Sequence, residues 1–255
     1  MKSVPESISD PLRYWDVNVN GTINLLNVMK KYNCKSIIFS SSATVYGNVK
    51  ETFLREDLPC NPCNPYGETK VVIEKILSNI FTSDPDNWRI CNLRYFNPVG
   101  ADPSGLFGEK FSYNPSNLFP YLNLVAGGKK KYLRVFGKDW PTKDGTAIRD
   151  YIHVCDLSYG HILAMNYLLF KKSQILNLNL GTGKGTTVLE LIKTFERVNN
   201  CTIKYEFEDR RPGDVSSLIA DNNLSKKIFK WYPQKSIEEM CKDSWNCFIK
   251  NKYAI

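Results

Sequence analysis

Histidine is nearly absent, with two residues in a chain of 255. Cys60-Asn61-Pro62-Cys63 has the spacing of a metal knuckle, but no second Cys or His pair follows at a useful distance, so no metal site is expected. Long apolar runs are missing as well. No stretch approaches the roughly 20 residues a membrane helix needs, and the start Met1-Lys2-Ser3-Val4-Pro5-Glu6 carries no apolar run of signal-peptide type. A cytoplasmic protein with no membrane partner is the expectation. The net charge is +8, yet the basic residues are scattered and only Lys129-Lys130-Lys131 forms a run, beside Gly127 and Gly128. Groove-reading motifs and aromatic interleaving are both lacking, so nucleic acid is not an expected partner and the run reads as a solvated loop. Eight cysteines at irregular spacings in a long chain read as reduced thiols, not as a disulfide framework.

What the chain does have is a 42% hydrophobic content, enough to bury a large core in one large domain or two smaller ones. Helical and extended patterns alternate through the first hundred residues, the order of a parallel sheet wrapped by helices in an α/β fold. A helix from Asn18 to Lys31 would place Val19, Ile23 and Leu26 on one face, and Ser36-Ile37-Ile38-Phe39-Ser40 reads as a short buried strand. The order then repeats. From Tyr66 to Phe81 the residues Val72, Ile73, Ile76, Leu77, Ile80 and Phe81 recur at helical spacing, and Trp88 to Arg94 is the next strand. After Asn97 the texture turns to Pro- and Gly-punctuated loops with shorter elements at 132–136, 175–180, 188–198 and 202–207, which predicts domains over 1–97 and 98–255.

The spacing Tyr66-Gly67-Glu68-Thr69-Lys70 puts a phenol and an ammonium on one helical face. A free phenol titrates near 10, so a neighbouring cation is what would make a base of it near neutrality. Tyr and Lys at this spacing are common on any helix surface, but here the serine-rich stretch Ser40-Ser41-Ser42-Ala43-Thr44-Val45-Tyr46-Gly47 precedes the pair by about one strand and loop. Ser42, Tyr66 and Lys70 together would form a proton relay in which Ser42 binds the hydroxyl, Tyr66 takes its proton and Lys70 tunes Tyr66. Ser40 and Ser41 also read as hydroxyls capping a strand end or helix start.

Several segments, in order, resemble the extended branch of the short-chain dehydrogenase/reductases, and within it the UDP-glucose 4-epimerase family. They are Asn18-Val19-Asn20-Gly21-Thr22, the stretch from Ser40 to Gly47, Tyr66 to Lys70, Leu93-Arg94-Tyr95-Phe96-Asn97-Pro98-Val99-Gly100-Ala101, Asp144-Gly145-Thr146, Arg149-Asp150-Tyr151-Ile152-His153-Val154 and Arg210-Arg211-Pro212-Gly213-Asp214. The resemblance implies a Rossmann-type, doubly wound parallel sheet that binds NAD, followed by a smaller mixed α/β substrate domain. It implies Ser42 and Tyr66 as the catalytic pair, with Lys70 binding the nicotinamide ribose and lowering the Tyr66 pKa. Asn18, Ser40, Tyr95 and Phe96 become further cofactor contacts, and Asn97, Asn117, Arg149, Tyr151, Arg211 and Asp214 contacts to a uridine diphosphate. Two arginines suit a pyrophosphate, and a carboxylate such as Asp214 can accept from ribose hydroxyls. The plain alternative for Arg149 is a surface ion pair with Asp150. Leu218 would border the sugar pocket, where a side chain smaller than an aromatic leaves room for an N-acetyl group.

The activity so implied is interconversion of UDP-glucose and UDP-galactose in galactose metabolism. Tyr66 takes the 4-hydroxyl proton while hydride passes to NAD, and a 4-keto sugar turns in the pocket before taking the hydride back. The family's homodimer would form through segments 18–31 and 66–81 if the sheet is complete. The family also opens with a strand and a Gly-x-x-Gly-x-x-Gly loop for the NAD pyrophosphate, whereas this chain starts at a point matching the family's interior, roughly 80 residues in. The expectation is thus an N-terminally shortened sheet with exposed apolar faces and strand edges. Gly181-Thr182-Gly183-Lys184-Gly185 has the wrong spacing to replace that loop. Rival readings are another extended-branch enzyme on a nucleotide sugar, or an inactive sugar-nucleotide binding remnant. A 4,6-dehydratase would need an acidic pair, which Ser41-Ser42-Ala43-Thr44 does not supply.

Overall fold

The structure is a computed structural model describing residues 1–109, 115 and 117–251. Its strands are β1 (Ser36–Ser42), β2 (Arg89–Tyr95), β3 (Asn97–Val99), β4 (Leu133–Phe136), β5 (Ile148–Arg149), β6 (Tyr151–His153), β7 (Gln174–Leu180), β8 (Thr186–Thr187), β9 (Tyr205–Glu208) and β10 (Ser217–Leu218). The helices are α1 (Val4–Ser9), α2 (Pro11–Tyr14), α3 (Gly21–Lys31), α4 (Pro65–Ser83), α5 (Leu118–Ala126), α6 (Val154–Phe170), α7 (Val188–Asn199), α8 (Asn223–Phe229) and α9 (Ile237–Asn251). A π-helical turn over Trp15–Asn20 leads into α3, so the helix expected from Asn18 begins in a wider coil.

The chain divides into two compact units. The first comprises Met1–Tyr95, Gly160–Leu180 and Asp221–Trp231; the second comprises Phe96–Tyr159, Gly181–Ala220 and Tyr232–Ile255. The first passage falls between Tyr95 and Phe96, and the two later returns lie within the span 98–255 read from the sequence as a single domain.

In the first unit β1, β2 and β7 form a parallel sheet in the order β1-β2-β7, with Ser42 level with Tyr95 and Tyr95 level with Leu180 at the carboxyl ends. Parallel strands covered by helices are buried on both faces, and β2 meets that condition from Ile90 to Arg94, with the polar Asn92 and Arg94 on one of its faces. Helix α4 covers the sheet, burying Ile73 and Leu77 with Leu26, Trp88 and Ile90. Ile23 does not join that face as the 18–31 pattern suggested; it is exposed, along with Leu25 and Val28. The second unit packs α5, α7 and α9 around Phe119, Leu122, Leu133, Tyr151, Leu191, Phe195 and Met240. Its sheet pieces are short: β3 with β6 and β4 with β9, both parallel, and β5 between β10 and β8.

Candidate active site

Asn64 and Pro65 start α4. The Asn64 side chain accepts from the Gly67 amide at 2.9 Å, and Pro65 occupies the first turn, where its missing N–H costs nothing. Tyr66 therefore sits in a capped, rigid first turn, with Lys70 one turn later. Gly67 lies against the loop that follows β1, so close that a Cβ there would be 2.9 Å from the Thr44 carbonyl oxygen and 2.8 Å from Pro62 Cβ. Only glycine lets this turn approach the end of β1. Ser42 occupies that end, its Oγ accepting from the Thr44 amide at 3.3 Å and the Thr44 hydroxyl at 3.0 Å.

The Lys70 ammonium donates to the Ser40 carbonyl at 2.8 Å and lies 5.5 Å from the centre of the Tyr66 ring and 4.9 Å from that of Phe39. Burial holds Lys70 down at about 8, opposed by the charge of Glu74. Burial also pushes the Tyr66 phenol up, and a hydrogen bond with Ser42 opposes it. Ser42 is thus the group that favours proton loss from the phenol, with the Lys70 ammonium beside the ring. Tyr95 extends the group from β2, donating to Ser40 Oγ at 2.8 Å and meeting His161 Nε2. Asn18 is buried behind α4, its amide donating to Thr69 Oγ1 at 3.2 Å. Tyr14 meets the Tyr66 ring edge-on at 6.5 Å, a neighbour that no motif announced.

Behind this face lies a buried polar network that the sequence reading passed over. Glu74 takes a hydrogen bond from Ser41 Oγ at 2.5 Å and pairs with Arg94 at 2.7 Å. Arg94 also donates to Tyr46 Oη and the Glu56 carbonyl, each at 3.1 Å, and Tyr46 donates to Asn179 at 2.7 Å. Ser41 is therefore no cap: its hydroxyl ties β1 to α4.

The second unit gathers most of the remaining candidates. Arg149 on β5 pairs with Asp214 at 3.1 Å, and Leu218 on β10 is level with Arg149. Arg211 lies over the Phe136 ring at 3.7 Å, its guanidinium pulled down by burial and held up by Asp214. Arg210 is committed elsewhere, to Asp139 at 2.9 Å and the Trp140 ring at 4.0 Å. Tyr151 is level with Asn97 across β3 and β6, and burial pushes its phenol up, with the charge of Arg149 opposing. The Tyr151 ring is core all the same, 5% exposed and 5.9 Å from Phe119. Phe96 is buried just before β3. Asn117 is at the start of α5 and donates to Glu109 at 3.4 Å.

The surface ion pair between Arg149 and Asp150 does not form. Asp150 is fully buried, its Oδ1 accepting from the Thr182 amide at 2.8 Å and the Thr182 hydroxyl at 2.6 Å. Its Oδ2 accepts from the amides of Gly183 at 2.9 Å and Ala220 at 3.1 Å. A Cβ at Gly181 would lie 2.7 Å from that oxygen. The Gly-rich turn that imitates a phosphate loop is thus wrapped around the chain's own carboxylate. Asp144 of Asp144-Gly145-Thr146 is likewise structural, accepting from the Thr146 amide at 2.9 Å and from the Thr187 hydroxyl at the start of α7.

A parallel sheet with Ser42, Tyr66 and Lys70 at its carboxyl edge, joined in sequence to an arginine-bearing α/β unit, has the arrangement of a short-chain dehydrogenase/reductase. A family model described as GDP-mannose 4,6 dehydratase matches residues 1–244. UDP-glucose 4-epimerase 2 of Oryza sativa subsp. japonica is 49% identical over 256 residues, covering 100% of this chain and 62% of its own length. UDP-glucose 4-epimerase of Bacillus subtilis (strain 168) is 48% identical over 245 residues, covering 96% of this chain and 72% of its own length. Among solved structures, a UDP-glucose 4-epimerase from Stenotrophomonas maltophila with bound NAD and formylated UDP-arabinopyranose superposes with a TM-score of 0.97 at 41% identity, over 100% of this chain and 75% of that one. The chain belongs to the UDP-glucose 4-epimerase family. It spans less than two thirds of the rice protein's length and about three quarters of the Stenotrophomonas chain.

Proposed function

We propose that this chain carries the catalytic and sugar-nucleotide groups of an NAD-dependent epimerase that interconverts UDP-glucose and UDP-galactose. The observation that carries the reading is the Ser42, Tyr66 and Lys70 cluster, in which a half-buried ammonium anchored on Ser40 faces the phenol that has to lose a proton. Tyr66 takes the proton of the sugar 4-hydroxyl and later returns it, Ser42 holds that hydroxyl in line, and Lys70 favours the phenolate. The donor set also suits NAD, because an ammonium and the Ser40, Tyr95 and Asn18 polar groups lie at or behind the carboxyl edge of parallel strands. Held there, NAD would supply the hydride acceptor and donor for C4 of the sugar. Arg149, Arg211 and Asp214 hold the diphosphate and uridine, with Asn97, Tyr151 and Asn117 as further contacts and Leu218 bordering the sugar.

Three coarser expectations belong to the same proposal. Exposed Ile23, Leu25 and Val28 support pairing of two copies through segments 18–31 and 66–81 when the sheet is complete. A cytoplasmic place in galactose metabolism is part of the same reading; among the described residues no helix is long and apolar enough to cross a membrane. The size of Leu218 admits UDP-N-acetylhexosamines. The test is turnover of UDP-galactose to UDP-glucose by the wild-type protein and by Tyr66→Phe. Loss of roughly 10²–10⁴-fold with UDP binding retained is the expected outcome. A Tyr66→Phe protein that turns over normally, or a wild type that binds NAD and UDP without turnover, would overturn it.

A further inference from the structure

Lys70 and Tyr66 act on a proton only if α4 keeps its register against β1 and β2, and the contacts that set this register converge on one side chain. Glu74 lies one turn beyond Lys70, as Lys70 lies one turn beyond Tyr66, so the three form a ladder along α4. It reaches β1 through Ser41, the neighbour of both Ser40 and Ser42, at 2.5 Å. It reaches β2 through two bonds from Arg94, the neighbour of Tyr95, at 3.0 and 2.7 Å. One carboxylate thus joins the helix to the residues beside Ser40, Ser42 and Tyr95, the three strand-borne polar members of the site. A buried ion pair contributes little net stability against a well-packed apolar pair, and its attested use is to fix one geometry. The pair here is almost wholly buried, with side chains 4% and 9% exposed.

The geometry points to Glu74 as the positioning residue of this site: through Ser41 and Arg94 it fixes the Tyr66 and Lys70 face of α4 against the ends of β1 and β2, and it places a carboxylate one helical turn from Lys70. The inference rests on the epimerase reading for its purpose, though not for its test. The groups facing Lys70 are Glu74 and Tyr66 on α4, the Ser40 carbonyl and Phe39 ring on β1, Tyr95 on β2 through Ser40, and the Met1 amino group. Glu74 is the one acid among them. Glu74→Gln keeps the shape but removes this charge, so Lys70 must give up its proton more readily.

The measurement is the pH dependence of acylation at Lys70, read by mass spectrometry on the intact protein, in wild type, E74Q and E74D, with circular dichroism as the fold check. Wild type is expected to titrate near 8. E74Q should titrate lower, and E74D, which keeps the charge but draws it back by one methylene, should shift in the same direction by less. A purely structural role predicts the opposite sign, because loosening α4 exposes Lys70 and returns it towards the ordinary lysine value of about 10.4. A midpoint that rises, or that stays put in a folded E74Q or E74D protein, overturns the proposal. Failure of the epimerase reading would show in turnover and leave these midpoints where they are.

Discussion

Replacing Asp150 by asparagine keeps the volume of the side chain and destroys the equivalence of its two oxygens. Each oxygen faces two donors: the Thr182 amide and hydroxyl on one side, the Gly183 and Ala220 amides on the other. Whichever way the carboxamide turns, its NH2 meets donors. The better orientation points it at Thr182, whose hydroxyl can rotate to accept, leaving one amide N–H confronted. A stranded buried donor costs about 1–3 kcal/mol and the lost charge weakens the remaining bonds, so Asp150→Asn should cost about 2–4 kcal/mol. Asp150→Ala strands three amides, and with water entering the vacated space the loss should be about 4–6 kcal/mol. Against a total stability of about 5–15 kcal/mol, the alanine protein would be largely unfolded on mild warming. Urea unfolding by circular dichroism, with midpoint and slope both fitted, is the assay. A Asp150→Asn protein within about 0.5 kcal/mol of wild type would mean that the turn does not need a carboxylate, and the account of the Gly181–Gly183 loop would fall.

Two further outcomes are expected. Gly67→Ala drives a methyl group into the Thr44 carbonyl and Pro62; it should cost about 1–3 kcal/mol and reduce turnover by displacing Tyr66, and thermal unfolding with a kcat measurement checks both. Glu239 accepts from Lys235 and from the Ser236 amide, each at 2.8 Å, bonds that hold its carboxyl down at about 2. That folded value lies below the unfolded value of about 4.3, so its stabilisation is present above that pH and is lost as pH falls towards 2. With the side chain 43% exposed the contribution is about 0.5–1 kcal/mol, and a Glu239→Gln deficit at neutral pH that persists unchanged at about pH 2 would refute it.

Much of the first unit was legible because its signals are local. The Tyr66–Lys70 spacing and the apolar rhythm to Phe81 lie on α4, and the hydrophobic runs at Ile37 and Ile90 lie on β1 and β2. Ser42 was placed by its position at a strand end, whereas the partners of Ser41 and Asp150 are 33 and 32 or more residues away, beyond any periodicity. Nothing in 3.6-residue spacing marks the π-turn at Trp15–Asn20, and two-residue ladders such as β5, β8 and β10 are too short to alternate. Arg149 beside Asp150 shows the limit of reading neighbours as partners: Arg149 ends β5, Asp150 lies between β5 and β6, and each found its counterpart elsewhere.

The order β1-β2-β7 sets a timetable for synthesis. The first two strands leave the ribosome early, but the third, Gln174–Leu180, follows Tyr95 only after β3 to β6, α5 and α6 have been made. At about 5–20 residues per second that interval is on the order of ten seconds. Throughout it the edge of β2 that β7 will cover stays unpaired, next to Tyr95 and Arg94, so the nascent chain exposes its most adhesive backbone at the place where its chemistry will later be done.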